Sequence, residues 1–182
     1  MKKLLKTTLS VLAGLALSLN TLASAGAELD HANTDINDQN SLQNGAKLFM
    51  NYCSGCHSIS FMRYNRIGKD LGISDAAVEK NLMFNGEKIG DKITSSMSEK
   101  GAVQWFGTTP PDLSLVSRSK GVDWIYTYLR SFYKDESRPF GVNNKILINA
   151  SMPDVLWGLK QTKSAEDFDQ DVRDVTNFLD YV

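Results

Sequence analysis

The chain has 182 residues, 42% hydrophobic and 23% charged, which suits a single globular domain. Its formal net charge of −1, with acidic runs near both ends of the mature region, argues against nucleic acid as a partner, because phosphate contacts need clustered cations. Only two cysteines and two histidines are present, so no second C-x-x-C exists to build a zinc site.

Lys2, Lys3 and Lys6 form a basic leader, Leu9 to Leu22 is apolar apart from small or weakly polar residues, and Ala23-Ser24-Ala25 is a small-x-small cleavage site. Residues 1–25 therefore read as a secretory signal peptide, too short in its apolar part for a retained span. The expected mature domain is residues 26–182, and loss of three lysines takes its formal charge to about −4. Export implies an oxidising compartment. No later apolar stretch is long enough to span a bilayer, so the mature chain reads as soluble.

Residues 26–40 are polar and are expected to be irregular. Ser41 reads as a helix N-cap, and Leu42, Ala46, Phe49 and Cys53 recur at helical spacing. Gly45 in that helix would let another helix come close. The helix leads into Cys53-Ser54-Gly55-Cys56-His57, a C-x-x-C-H sequence. This is the pattern of covalent haem attachment. Two residues between the thiols let both sulfurs reach one porphyrin, and a histidine directly after the second is placed under the iron. The competing reading, a thioredoxin-like redox pair, would need a strand before the motif and a βαβ pattern around it. The sequence has neither.

Residues 58–107 pattern weakly, with a short helix expected over 75–84, and read as an insertion of loops and short helices wrapping part of the haem. Pro110-Pro111 imposes an extended segment, after which Asp112 is expected to cap a short helix through Leu113, Val116 and Ser117. From Gly121 to Lys134, the residues Ile125, Tyr128, Leu129, Phe132 and Tyr133 predict an amphipathic helix. Arg138 to Gly141 breaks the chain, and Val142 to Trp157 reads as a loop. A last helix begins near Ser164, with a Ser164–Asp167 capping pair and an apolar face of Phe168, Val172, Val175, Leu179 and Val182. Its acids, Glu166, Asp167, Asp169 and Asp171, read either as a solvated face or as a docking surface for a basic partner.

A haem held by one histidine needs a sixth ligand or an open site. Met50, Met62, Met83, Met97 and Met152 are the mature methionines. Met50 and Met62 lie too close to the motif to reach the other haem face, and Met83 and Met97 sit in the weakly patterned insertion. Met152 lies far downstream, stiffened by Pro153, and is the expected thioether ligand. His31 is the rival, and packing in the core is the ordinary alternative role for a methionine.

Several blocks together carry a family resemblance: Asn51-Tyr52-Cys53-Ser54-Gly55-Cys56-His57-Ser58, Met62-Arg63-Tyr64, Trp105-Phe106-Gly107, Pro110-Pro111-Asp112-Leu113-Ser114, Tyr126-Thr127-Tyr128-Leu129-Arg130, Gly141-Val142-Asn143-Asn144, and Met152-Pro153 followed by Val155-Leu156-Trp157. In this order they resemble cytochrome c1, the haem subunit of the quinol–cytochrome c oxidoreductase (the cytochrome bc1 complex), from about Leu42 onward. The resemblance implies an all-α, class I cytochrome c-like haem domain with a long loop and short-helix insertion. It implies one covalent haem c on Cys53 and Cys56, with His57 and Met152 as iron ligands. Pro110 and Pro111 would line the haem edge facing a Rieske iron–sulfur partner, and Arg118 and Lys120 would lie near a haem propionate. Members often have arginine where Lys120 stands, and histidine where Asp154 stands. The implied function is one-electron transfer from the Rieske protein to a downstream c-type cytochrome, beside cytochrome b, with no bond-making chemistry by the isolated chain. The family continues into a C-terminal membrane helix beyond the point where this sequence stops at Val182, so the expected place is the periplasmic side of the inner membrane, held there through the complex. The alternatives are a free periplasmic c-type electron shuttle and, more distantly, a haem enzyme or gas sensor with an open iron site.

Overall fold

The structure is a computed structural model that describes residues 28–182. The signal-peptide expectation for residues 1–25 lies outside the described residues. In chain order the elements are α1 (Gln39–Tyr52), β1 (Ile59–Arg63), α2 (Tyr64–Asp70), α3 (Asp75–Asn81), β2 (Lys92–Ile93) and α4 (Glu99–Phe106). They continue with α5 (Val116–Lys120), α6 (Val122–Arg130), β3 (Phe132–Lys134), β4 (Val142–Asn144), α7 (Trp157–Thr162) and α8 (Ala165–Tyr181). The fold is mostly helical, as expected, with two small antiparallel ladders, β1–β2 and β3–β4, that the sequence reading did not contain.

α1 and α8 pack against each other and form the frame. α1 starts earlier than its spacing suggested. Asp38, not Ser41, is the N-cap, and its carboxylate accepts from the amides of Asn40 and Ser41, each at 3.1 Å. Ser41 instead turns its hydroxyl across to Asp174 Oδ1 at 2.7 Å. Asp174, only 4% exposed, also accepts from Asn44 Nδ2 and Gln170 Nε2, each at 2.7 Å, so three neutral donors satisfy one buried carboxylate. The crossing lies at Gly45, where a Cβ would stand 2.1 Å from the backbone oxygen of Asp174. The close approach expected of this glycine is therefore real. Phe49 and Phe178 meet beside it with ring centroids 5.7 Å apart. Gly45→Ala is expected to destabilise the domain by more than about 2 kcal/mol, because a backbone carbonyl cannot swing aside as a side chain can. A denaturant midpoint equal to that of the parent chain would contradict this packing.

The capping pair of α8 is as expected. Ser164 Oγ accepts from the Asp167 amide at 3.1 Å and donates to its carboxylate at 2.7 Å. The helix expected to run from Gly121 to Lys134 is shorter. α6 ends at Arg130, and Phe132–Lys134 pairs with Val142–Asn144 as a hairpin. The cause is a polar clamp from far along the chain. Asn144 is fully buried, and its Nδ2 donates to the Tyr128 carbonyl at 2.8 Å, taking a carbonyl that a longer helix would use. Two further corrections concern local helices. Trp157–Thr162 is helical where a loop was expected to reach Trp157 and the next helix to begin near Ser164. Asp112 does not cap a helix. Its carboxylate accepts from the amides of Ser114 (2.8 Å) and Ser60 (3.0 Å), and α5 starts later, at Val116.

Residues 28–38 are irregular, as expected, yet firmly held. The Asp30 amide donates to Thr127 Oγ1 and the Ala32 amide to Asp123 Oδ1, both at 2.8 Å, while the Ala32 carbonyl accepts from Arg173 Nε at 3.0 Å. Arg130 binds Asp30 at 2.6 Å and Asp169 at 2.7 Å, and Lys163 binds Asp171. Three acids of the α8 cluster, Asp167, Asp169 and Asp171, thus have partners within the chain. No helix among the described residues is long and apolar enough to cross a membrane.

Candidate functional site

The C-x-x-C-H turn continues directly from α1. Cys53 caps the helix by donating its amide to the Phe49 carbonyl at 2.8 Å, and the amides of Cys56 and His57 both turn back to the Cys53 carbonyl at 3.0 and 2.8 Å. The turn is tied down from outside by the insertion. Asn85 Nδ2 donates to the Ser54 carbonyl at 3.0 Å, and Ser95 Oγ donates to the Gly55 carbonyl at 2.8 Å. Residues 58–107 are loops and short helices with one small ladder, and Asn85 and Ser95 within them hold the motif. Cys53 and Cys56 are free thiols. Burial, reinforced by the neighbouring Cys56, pushes the Cys53 thiol up to about 12, and burial also raises that of Cys56.

His57 is fixed by the segment that carries the two prolines. Its Nδ1 lies 2.8 Å from the Pro111 carbonyl, which can only accept, so Nδ1 carries the proton and Nε2 keeps a free lone pair. Burial holds the imidazole below its ordinary pKa against the opposing pull of that carbonyl and of Asp112, which favours the neutral, ligating form. The proline segment is zipped onto β1: the Leu113 amide donates to the Ser58 carbonyl at 2.8 Å, and the Phe61 amide donates to Ser114 Oγ at 3.1 Å.

Met152 belongs to a second wall. It packs on Tyr128, Phe132 and Ala150, and Tyr128 Oη donates to its sulfur at 3.6 Å. Trp124 stacks on Tyr128 at 4.9 Å, and Phe132 meets Tyr128 edge-on at 5.2 Å, so the aromatic stripe of α6 continues into β3 and carries the thioether. Trp124 and Leu129 pack both against this wall and against the cluster that includes Cys53 and Leu113. The two parts of the site thus share one helix. Asn143 and Asn144, both buried, shape the loop that delivers Met152. Asn143 Oδ1 accepts from the Asn149 amide at 2.8 Å, and Asn144 Oδ1 accepts from the Ile146 amide at 2.8 Å.

The remaining expected residues scatter. Pro110 is partly exposed and Pro111 exposed beside His57. Lys120 sits over the Trp124 ring at 5.3 Å, whereas Arg118 is exposed in α5. Met50 and Met62 are buried in the core, and His31 is exposed and pairs with Asp123 at 2.9 Å. One residue had no sequence signal. Arg138, read only as part of a chain break, lines a cavity of about 240 Å³ with Trp105, Phe106, Phe140, Ala150 and Ser151, next to Met152. Its Nη2 donates to the Asn149 carbonyl at 3.0 Å, but its buried Nε has no partner among the described residues. An isolated arginine carries no periodicity, so only the unpartnered N–H reveals it.

This donor set fits a covalently attached haem. It offers two reduced thiols, one imidazole nitrogen, one thioether and a guanidinium whose buried Nε is unpartnered among the described residues and able to take a carboxylate. Among the described residues no group of three or more His, Cys, Asp or Glu could hold a metal by itself. A family model described as "Cytochrome C1 family" matches residues 31–182. The chain belongs to the cytochrome c1 family. It is 46% identical to the cytochrome c1 of Allochromatium vinosum over 209 aligned positions, covering 100% of this chain and 84% of that protein. It is also 42% identical to a Nitrosomonas europaea protein called ammonia monooxygenase gamma subunit, covering 87% of this chain and 76% of that one. The cytochrome c1 of Rhodospirillum rubrum is more distant, at 28% identity over 54% of this chain and 43% of its own length. As a member of the family, the chain is an electron carrier with one covalent haem c in the cytochrome bc1 complex.

Proposed function

We propose that residues 26–182 form the haem domain, that Cys53 and Cys56 would make its two thioether bonds, and that His57 Nε2 and Met152 Sδ would hold its iron. The observation that carries this reading is the 2.8 Å contact from His57 Nδ1 to the Pro111 carbonyl, inside a C-x-x-C-H turn. The haem iron supplies reversible one-electron chemistry. The chain does the rest. The Pro111 carbonyl fixes the His57 tautomer and strengthens the ring as a donor. Tyr128 Oη aims one lone pair of the Met152 sulfur and leaves the other free. Trp124 and Leu129 pack against both walls and hold them together. Arg138, with Arg118 and Lys120 of α5, would supply positive charge for the propionates.

In this reading the chain takes electrons from a Rieske iron–sulfur protein at the Pro110–Pro111 edge and passes them to a downstream c-type cytochrome. It does so beside cytochrome b, within a ubiquinol–cytochrome c reductase on the periplasmic side of the inner membrane. Family membership supports the complex over a free shuttle. The test is affinity purification of the tagged protein from its own membranes, followed by mass analysis of the peptide that contains Cys53 and Cys56. The expected result is that peptide carrying the added mass of one haem, with cytochrome b and the Rieske protein in the same fraction. A haem-bearing protein recovered alone would favour the shuttle.

A further inference from the structure

Residues 28–38 form no regular element, yet they bind α6 and α8 at once. The Asp30 amide donates to Thr127 Oγ1 and the Ala32 amide to Asp123 Oδ1, both at 2.8 Å, and Arg130 Nη1 donates to Asp30 Oδ2 at 2.6 Å. Asp123, Thr127 and Arg130 stand at i, i+4 and i+7 of α6, so this arm follows one face of the helix. From α8, Arg173 Nε donates to the Ala32 carbonyl at 3.0 Å and Asn177 Nδ2 to the Asp35 carbonyl at 2.8 Å. Tyr126 lies between the two helices, with Arg130 over its ring at 4.6 Å and Arg173 at 5.9 Å. Chain ends are loosely held unless something ties them down, and these ties run through the backbone of the arm itself.

The arm lies behind both supports of the candidate thioether ligand. Ala32 is fully buried, in one cluster with Tyr126, Leu156, Phe168 and Val172. Leu156 is the first buried residue after Met152, so this cluster fixes the downstream end of the Met152 segment. The upstream end is fixed separately, where Asn143 Oδ1 accepts from the Asn149 amide at 2.8 Å and Arg138 Nη2 donates to the Asn149 carbonyl at 3.0 Å. The second support is α6. Trp124 and Tyr128 occupy the face next to the one the arm covers, and Tyr128 Oη donates to the Met152 sulfur.

We propose that the N-terminal arm is a strap that positions Met152, with Ala32 and Thr127 as its positioning residues. The proposal rests on Met152 as an iron ligand and adds the element that keeps it in place. When α6 and Leu156 can shift, the thioether leaves the iron in a larger fraction of the molecules. An external ligand that binds only the open form gains apparent affinity in proportion to that fraction.

The experiment titrates the haem-loaded, oxidised full chain with imidazole and follows the weak charge-transfer band of the thioether-ligated haem. Ala32→Glu puts a charge where a buried methyl stood and should lift the arm. It should bind imidazole about tenfold more tightly than the parent chain. Thr127→Val keeps the shape of the side chain but removes the acceptor of the Asp30 amide. It should give a smaller gain in the same direction, and it carries the test if Ala32→Glu does not fold. Val78→Ala, at a fully buried position of α3 in the other core cluster, should lower stability and leave imidazole binding at the parent value. In a Met152→Ala background Ala32→Glu should add nothing, because no thioether remains to be displaced. Parent-like binding in the folded arm variants would overturn the proposal. So would a gain in Val78→Ala equal to that of the arm variants, or a gain that persists without Met152. A parent chain with no charge-transfer band would instead remove Met152 from the ligand set, and the strap with it.

Discussion

Met152→Ala should lower the midpoint potential by on the order of 0.1 V or more and remove the weak charge-transfer band of a thioether-ligated ferric haem. A thioether is a soft donor that favours the ferrous state, so its loss stabilises the oxidised form relative to the reduced one. The substitution should not unfold the loop. Asn143 and Asn144 hold that loop through its backbone. Tyr128→Phe is the matching control. It removes the hydrogen bond to sulfur while keeping the ring between Trp124 and Phe132, and should give a smaller shift in the same direction with the band retained. A redox titration and a spectrum of the oxidised protein read both. An unchanged potential in Met152→Ala would remove Met152 from the ligand set.

Cys53→Ala with Cys56→Ala should leave no covalent haem on a denaturing gel stained for peroxidase activity. A ligand that binds the native state stabilises it, and its loss is felt where its contacts were. The apolar core of α1, α2 and α8, with Leu42, Phe49, Ile67 and Phe178, does not line the cavity beside Met152. Proteolysis of the variant should therefore begin in residues 107–115 and 138–152, around the candidate site. Full resistance in those segments would refute the idea that haem completes the packing there.

The parts of this molecule that could be read in the sequence are those whose cause is local. The C-x-x-C-H spacing, the 3.6-residue rhythm of α8 and its Ser164–Asp167 cap each depend on residues a few positions apart. Gly45 was legible because only a missing side chain permits so close a crossing. The misread parts depend on distant residues. Phe132 and Tyr133 continue the apolar rhythm of α6, and nothing near them shows that Asn144 will take the Tyr128 carbonyl and end the helix. Ser41 and Asp38 are both good caps, and the choice fell to Asp38 because Asp174, 133 residues after Ser41, needed the Ser41 hydroxyl. The acids of α8 looked free because Arg130 and Lys163 lie outside that helix. Arg138 could be recognised only by the partner it lacks.

The crossing of α1 with α8 also bears on the order of events during biogenesis. Contacts between segments so far apart form late, because the whole intervening chain must be gathered before they form. Until α8 arrives, α1 has no partner at Gly45. In the folded chain both thiols are partly exposed, and burial raises both above their ordinary value. The crossing therefore makes the helix that carries the C-x-x-C-H turn depend on the last segment of the chain, and loss of α8 is expected to loosen that helix.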